Sequence, residues 1–307
     1  MQLTPDRRRT GHRAFVALAL AALLAAPTGT TAAPQPPAPR AAAAAPLTAG
    51  IAVFDRRTGT FTERRHADRR FRSASVVKLL IALDFLWTRG PSYAVPPADR
   101  RRLDAMLRSS DDSAAQYFWK RGGGAAAVTR MASRLALTRT AGPPPAYPGF
   151  WGYTAVTAAD TVKVYRYLLD SAPAAVRDFV LGRLRRSARC AADGFDQRFG
   201  IPGAFERPWA VKQGWSGFGA AGGCGGHRRP GGGAPAAGPR TAGPGGLDLV
   251  REALHTTGTV GAGDRSIVTV LTLHPDGTPY GTATARLTAL TRSLRVPGGV
   301  RTAHGQP

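Results

Sequence analysis

The chain has 307 residues, 43% of them hydrophobic, which is enough for one substantial core or two subdomains around a cleft. Its net charge is +23, but the arginines are scattered through every segment, which argues against a nucleic-acid-binding protein and leaves an anionic envelope polymer as a possible partner. The six histidines form no His-x-His or His-x-x-x-His pair, so we expect them on the surface or in loops and expect no metal site and no cofactor.

The first residues indicate export. Four arginines precede an apolar run at 14–26, and small residues follow to position 33, a pattern typical of a signal peptide over 1–33. The run is too short for a comfortable membrane span, no cysteine follows it to receive a lipid, and both the general and the twin-arginine export routes stay open. We therefore expect a secreted, extracytoplasmic protein.

Residues 34–46 are proline and alanine apart from Gln35 and Arg40, which predicts an extended linker before a folded domain at 47–295. The domain begins with an antiparallel hairpin whose strands are predicted at 49–54 and 60–63. A helix at 75–87, apolar almost all round, is predicted to be buried. Helical periodicity then continues at 96–108, 113–120 and 125–137.

After a Pro/Gly/aromatic loop at 138–153, helices are predicted at 158–169 and 173–189, strands at 209–213, 249–260 and 266–273, and a last helix at 280–294. The order predicts an α+β fold: an antiparallel five-stranded sheet built from both ends of the chain and flanked by helices, plus an all-helical subdomain. A Gly/Pro-rich insertion at 217–246 and a disordered tail at 296–307 complete the prediction. Cys190 and Cys224 either form a disulfide or are two unrelated thiols.

Lysine is used sparingly: only four of the forty-two basic residues are lysine. Two of the four stand in short motifs, Ser75-Val76-Val77-Lys78 at the start of the buried helix and Lys212-Gln213-Gly214 on a strand. A buried lysine amine can lose its proton and act as a base, whereas an arginine guanidinium cannot. The spacing of Ser75 and Lys78 also puts a hydroxyl and an amine on one face of a helix, as an activated nucleophile requires.

A third motif, Ser110-Asp111-Asp112, lies between two predicted helices, where by itself it is typical of an N-cap. Taken in order, the three motifs resemble the S-x-x-K, S-D-N and K-T-G signature of the serine β-lactamases and penicillin-binding proteins, with class A members the most similar in local text. The resemblance covers roughly residues 47–295. It implies a β-lactamase/transpeptidase-like fold.

The resemblance also implies catalytic roles. Ser75 would be the nucleophile, Lys78 its general base, and Ser110 the relay of the proton to the leaving group, with Lys212 as the further catalytic lysine. The backbone amides of Ser75 and Trp215 would form the oxyanion hole.

For substrate binding, the resemblance points to Asp112, Gln213, Gly214 and Trp215. Two of these depart from the signature. Asp112 stands where asparagine is usual and, when ionised, accepts hydrogen bonds but donates none. Gln213 replaces threonine or serine, although its amide could still bind a substrate carboxylate. Gly214 would allow the strand to approach the substrate closely.

The chain lacks the Glu-x-x-Leu-Asn segment with which class A β-lactamases activate water, and Asp160 is better explained as part of a helix cap. We therefore expect a monomeric serine hydrolase that forms an acyl-enzyme on Ser75 with a small-molecule β-lactam or a D-alanyl peptide of peptidoglycan, with β-lactam turnover in doubt. The alternative is a catalytically impaired envelope-binding protein on the same scaffold.

Overall fold

A computed structural model describes residues 46–219, 224 and 246–303. The predicted signal peptide, nearly all of the predicted linker and most of the Gly/Pro-rich insertion lie outside the described residues, as do residues 304–307.

The strands are β1 (Thr48–Asp55), β2 (Thr60–Arg65), β3 (Phe71–Arg72), β4 (Ala155–Val156), β5 (Trp209–Ser216), β6 (Ala253–Val260) and β7 (Ser266–Leu273). The α-helices are α1 (Lys78–Trp87), α2 (Pro97–Arg108), α3 (Asp112–Arg121), α4 (Ala125–Arg134), α5 (Ala158–Arg166), α6 (Ala174–Arg185), α7 (Ile201–Ala204) and α8 (Tyr280–Ser293). Short 3₁₀ turns occur at Ala74–Val77, Trp151–Tyr153 and Ala262–Asp264, and a π-helical turn at Tyr167–Ser171 extends α5.

Five strands form one antiparallel sheet in the order β2-β1-β7-β6-β5. The hairpin β1–β2 comes from the start of the domain and β5 to β7 come from its end, so the sheet joins the two ends of the chain. The helices α2 to α4 fall between them in sequence. The predicted α+β fold with a five-stranded antiparallel sheet is confirmed.

Two hydrophobic clusters hold the layers together. One packs the helical block against one face of the sheet: nine of the ten residues of α1 are buried, and seven of these, all apolar, belong to this cluster. The other lies on the opposite face, where α7 and α8 cover the sheet. Successive residues of β5 alternate between the clusters, as the pleat requires: Ala210 faces the first and Val211 the second. The face that Lys212 shares with Ala210 is therefore the face toward the helical block.

The prediction of a disordered tail is wrong for residues 296–303. Val296 is buried in the second cluster, Arg301 forms a β-bridge with Phe205, and the Arg292 guanidinium donates to the Thr302 carbonyl over 2.7 Å. These contacts are made by a segment with few large apolar residues, so its composition gave no sign of them.

Some predicted boundaries also move. The strand predicted from residue 249 begins at Ala253, because the Asp248 carboxylate accepts the backbone N–H groups of Val250 and Arg251 and shapes a turn there. The helix predicted from Ser75 begins as a 3₁₀ turn, and its α-helical part starts at Lys78. Within the described part of the chain, no helix combines the length and apolar character needed to span a bilayer.

Candidate active site

Ser75 lies in the 3₁₀ turn that leads into α1 and is almost fully buried. The residue before it, Ala74, has a φ of 44°, in the left-handed region that costs a non-glycine residue about 1–3 kcal/mol. The turn is held on its other side, where the Ser73 N–H donates to the Thr154 carbonyl over 2.8 Å. Strain of this kind, kept in place by surrounding contacts, is typical of functional sites.

Lys78 is completely buried at the start of α1. Its amine donates to the Ser110 carbonyl at 2.6 Å, to the Ser110 hydroxyl at 3.1 Å and to an Asp112 carboxylate oxygen at 2.5 Å. It also lies 4.7 Å from the centre of the Trp151 ring. The amine predicted to face Ser75 is therefore directed at the second motif.

The second motif, Ser110-Asp111-Asp112, both caps a helix and contacts the lysine of the first motif. The Asp111 carboxylate accepts the Ala114 N–H over 2.7 Å and caps α3, as an N-cap does. Ser110 has a φ of 56°, and its carbonyl is bonded to Lys78. Asp112, in the first turn of α3, completes the contact with Lys78. The cap thus fixes the loop that carries the two residues facing the lysine.

Lys212, on β5, is 1% exposed; its amine is hydrogen-bonded to the Ser110 hydroxyl over 2.8 Å and donates to the Gln213 carbonyl over 3.0 Å. Burial lowers the pKa of Lys212 well below its usual value, and the positive charge of Lys78 lowers it further. The hydroxyl of Ser110 thus joins the two lysines, so all three motifs meet at one oxygen atom.

Gly214 brings β5 against the 3₁₀ turn that bears Ser75. A Cβ at this position would lie 3.1 Å from the Ser73 carbonyl oxygen and 3.3 Å from the Ser75 backbone nitrogen. Because β5 is an edge strand of the sheet, alternate backbone groups beyond Gly214 are not paired with another strand of that sheet. Close approach at Gly214 is the geometry that an oxyanion hole built from the Ser75 and Trp215 amides requires.

The substrate-binding role predicted for Gln213 is wrong. Its side chain is fully buried, and its amide nitrogen donates to the carbonyls of Gln197 and Phe199 at 3.0 and 2.6 Å. The alternation of β5 turns this side chain to the face opposite Lys212. Gln213 therefore anchors the loop before α7.

Sequence reasoning missed Asp193. The Trp215 indole N–H donates to its carboxylate over 2.9 Å. Burial raises the pKa of Asp193; the Trp215 hydrogen bond opposes this rise, and the negative charge of Asp112 reinforces it. The signal in the sequence was the nearby Cys190. It forms a disulfide with Cys224, which lies ten residues after Gly214, and the two Cα atoms are 5.8 Å apart.

Sequence reasoning also missed Trp151, which lies in the aromatic loop at 138–153. The ring of Trp151 covers Lys78, and Gly152 packs on Ala74. The three glutamates of the chain lie elsewhere: Glu63 on β2, Glu206 after α7, and Glu252 before β6, where it accepts the Gly277 N–H. Asp160 caps α5 and accepts the Arg139 N–H over 2.8 Å.

The expectation that the histidines lie on the surface or in loops is wrong for His255 and His274, which are fully buried. His255, on β6, accepts the Thr272 backbone N–H at Nδ1 over 3.1 Å, so the proton of its neutral ring is on Nε2 and is donated to the Arg72 carbonyl over 2.8 Å. Arg72 is three residues before Ser75. His255 therefore ties β3, the strand that leads to the turn bearing Ser75, to the main sheet.

Comparison with known proteins agrees with this geometry. A β-lactamase from Chitinophaga pinensis superposes with a TM-score of 0.56 at 13% identity, over 80% of this chain and 92% of that one. The chain has a β-lactamase/penicillin-binding-protein-like fold. A point mutant of PBP-A was solved as an acyl-enzyme complex with penicillin G. It superposes on this chain with a TM-score of 0.55 at 15% identity, over 80% of this chain and 88% of that one.

Among curated proteins, the "Putative lipoprotein LppW" of Mycobacterium tuberculosis is 40% identical to this chain over 179 residues. These residues are 57% of this chain and 56% of that protein. The chain thus spans about half the length of the curated relatives that it matches. No family model matches the chain.

Proposed function

We propose that the chain is a serine hydrolase that forms an acyl-enzyme on Ser75 with a β-lactam or a D-alanyl peptide of peptidoglycan. The observation that carries the proposal is the meeting of Lys78 and Lys212 at the Ser110 hydroxyl, next to the turn that bears Ser75. Burying two lysine amines around one hydroxyl costs folding free energy. Such an arrangement is typical of a site that transfers a proton.

Deacylation is proposed to be slow. Hydrolysis of the acyl-enzyme needs a base that activates water, and the aromatic loop offers the Trp151 ring beside Lys78 rather than a carboxylate. Asp112 is held by Lys78 and Asp193 by Trp215. The acyl-enzyme should therefore persist, as in a penicillin-binding protein, instead of turning over rapidly.

An exported location is part of the proposal. It is supported by the signal-peptide pattern at 1–33, by the proline-alanine composition of the linker at 34–46 and by the relative that is named as a lipoprotein. The folded domain would then run from 47 to 303, with the Gly/Pro-rich insertion at 217–246.

An anionic envelope polymer is proposed as a second partner. Of the net charge of +23, +3 belongs to residues 1–33, which leaves +20 on the exported part. A cavity of about 400 Å³ beside the turn between β1 and β2 is lined by Arg56, Arg57, Arg166 and Arg265, with Asp170 as the acid among them. This surface would attract phosphate or carboxylate groups.

The test compares the exported protein with its Ser75→Ala variant, using penicillin G and a peptide ending in D-alanyl-D-alanine. We expect slow ring opening or D-alanine release by the wild type, and none by Ser75→Ala at the same thermal stability. Equal rates in both proteins would contradict the role of Ser75. Inactivity of both, with binding to a teichoic-acid-type polymer retained, would favour the binding-protein alternative.

A further inference from the structure

Lys78 has the surroundings of a permanent cation. An ammonium group has three N–H donors and no lone pair, and the three donors of Lys78 match its three acceptors, two on Ser110 and one on Asp112. The carboxylate of Asp112 and the face of the Trp151 ring both favour a positive charge. Loss of a proton from Lys78 would break one of these contacts and leave Asp112 without its cation.

Lys212 is buried to the same extent, but its hydrogen-bond partners are neutral: the Ser110 hydroxyl and the Gln213 carbonyl. Among the described residues it has no ion pair with a carboxylate within 4 Å. Its amine and that of Lys78 contact the same oxygen, and two ammonium groups so close in a buried site repel each other strongly. One of the two lysines must therefore be neutral. Because the Asp112 carboxylate contacts Lys78, Lys78 is the charged one.

The hydrogen atoms can then be assigned. The Ser110 oxygen accepts an N–H from Lys78, and its own hydrogen needs an acceptor. A neutral Lys212 supplies one in its lone pair at 2.8 Å, while one of its N–H groups donates to the Gln213 carbonyl. With both lysines charged, the hydroxyl would face donors from both sides and its own hydrogen would have neither lysine as an acceptor.

We infer that Lys212, acting through the Ser110 hydroxyl, is the general base of acylation, and that Lys78 is a fixed cation that positions Ser110. The resemblance had assigned the base to Lys78. The inference rests on the proposed function, because it needs Ser75 as the nucleophile. The lowered pKa of Lys212, caused by burial and by the charge of Lys78, agrees with it.

The proton movement balances without a further reactant. As the Ser75 oxygen bonds to the substrate carbonyl carbon, its proton passes to the Ser110 oxygen while the Ser110 proton passes to Lys212, and the carbonyl π pair becomes the oxyanion. When the oxyanion re-forms the C=O bond, the C–N bond breaks, and Lys212 returns a proton through Ser110 to the departing nitrogen. Lys78 and Asp112 keep their charges throughout.

The scarcity of lysine makes a direct test practical. Protein labelled with ¹³C at the lysine Cε positions should give four signals, from Lys78, Lys120, Lys163 and Lys212. Lys78 is recognised by its contact with the Trp151 ring, and Lys120 and Lys163 by single Lys→Arg variants at these more exposed positions. Assignment therefore does not depend on a variant in the core.

We expect one of the four signals to titrate well below the usual lysine range, and we expect it to be the signal of Lys212. The rate of Ser75 acylation should rise with pH along the titration curve of Lys212. Lys212→Arg should slow acylation by about 10²–10⁴-fold, the contribution of a general base, and Lys78→Arg, which keeps the charge beside Asp112, by less.

A low titration of Lys78 with Lys212 protonated would overturn the inference and leave the proposed function standing. A normal titration of both lysines would overturn it as well. If Ser75 is not acylated at all, the proposed function fails together with the role of the base, and the titration still identifies the neutral lysine.

Discussion

At the scale of single residues, burial decides what each titratable group can do. Lys78 and Lys212 are nearly equal in exposure, and their difference comes from one neighbour, the Asp112 carboxylate at 2.5 Å. Had this position carried asparagine, as the signature has it, Lys78 would lack that charge partner. In the proposed assignment, the Asp112 carboxylate therefore determines which of the two buried lysines is the fixed cation.

Two buried histidines should make the fold sensitive to acid. Burial lowers the pKa of His255 and of His274 to about 4, from 6.5 for an exposed histidine. The unfolded chain then binds more protons than the folded one between these values, so the free energy of unfolding falls as the pH falls from about 6.5 to about 4, by at most about 3 kcal/mol per histidine.

Urea unfolding at pH 7, 5.5 and 4 measures this loss. His255→Asn should be less stable at pH 7, because the contact with Arg72 is weakened, but should lose less stability on acidification than the wild type. An identical pH dependence in both proteins would show that His255 is not the group that is titrated.

At the scale of elements, the position of β5 against the turn that bears Ser75 matters most. Lys212 and Gly214 share the face of β5 toward the helical block, and Gln213 points away to hold the loop before α7. One strand thus supplies an amine and a close backbone approach on one face and an anchor on the other. The period of two along a strand explains why Lys212 and Gly214 lie on the face toward the helical block, and why the side chain of Gln213 points away from them.

Gly214→Ala should slow acylation. The new Cβ would lie 3.1 Å from both the Ser73 carbonyl oxygen and a Val76 methyl carbon, so β5 and the turn must move apart by a few tenths of an ångström. We expect the acylation rate to fall by about tenfold or more, and the free energy of unfolding to fall by about 1–3 kcal/mol.

The matched control is Gly281→Ala in α8, where a Cβ would meet no atom within 4 Å. This variant should keep the wild-type acylation rate and unfold at the same or a slightly higher temperature. Rates that are equal in the two variants would contradict the close approach at Gly214.

At the scale of the whole molecule, the sequence predicted the layers and the three motifs but not their closest contacts. Hydrophobic periodicity revealed the sheet and the buried helix, because these follow from local patterns. The contacts of Trp151 with Lys78 and of Asp193 with Trp215 join segments that are 22 or more residues apart in sequence, where no local pattern applies. Residues 296–303 and the two buried histidines were missed for the same reason.

The disulfide should stabilise the whole domain. Cys190 and Cys224 are 34 positions apart, and the loop that they close contains β5 with the third motif. In the chain-entropy account, a loop of this length contributes about 3–4 kcal/mol. Reduction with dithiothreitol should lower the free energy of unfolding by that amount, whereas the Cys190→Ser/Cys224→Ser double variant should start lower and show no response. A stability that is unaffected by reduction would contradict this role.

The most direct test of the central claim is the intact mass of the exported protein followed over time with penicillin G, with the modified residue located by peptide mapping. Trypsin cleaves after Arg72 and Lys78, so Ser75 falls in the short peptide 73–78, where fragmentation separates it from Ser73. The account predicts one long-lived adduct on Ser75 that is absent from Ser75→Ala. An unmodified protein, or an adduct on another residue that persists in Ser75→Ala, would contradict it.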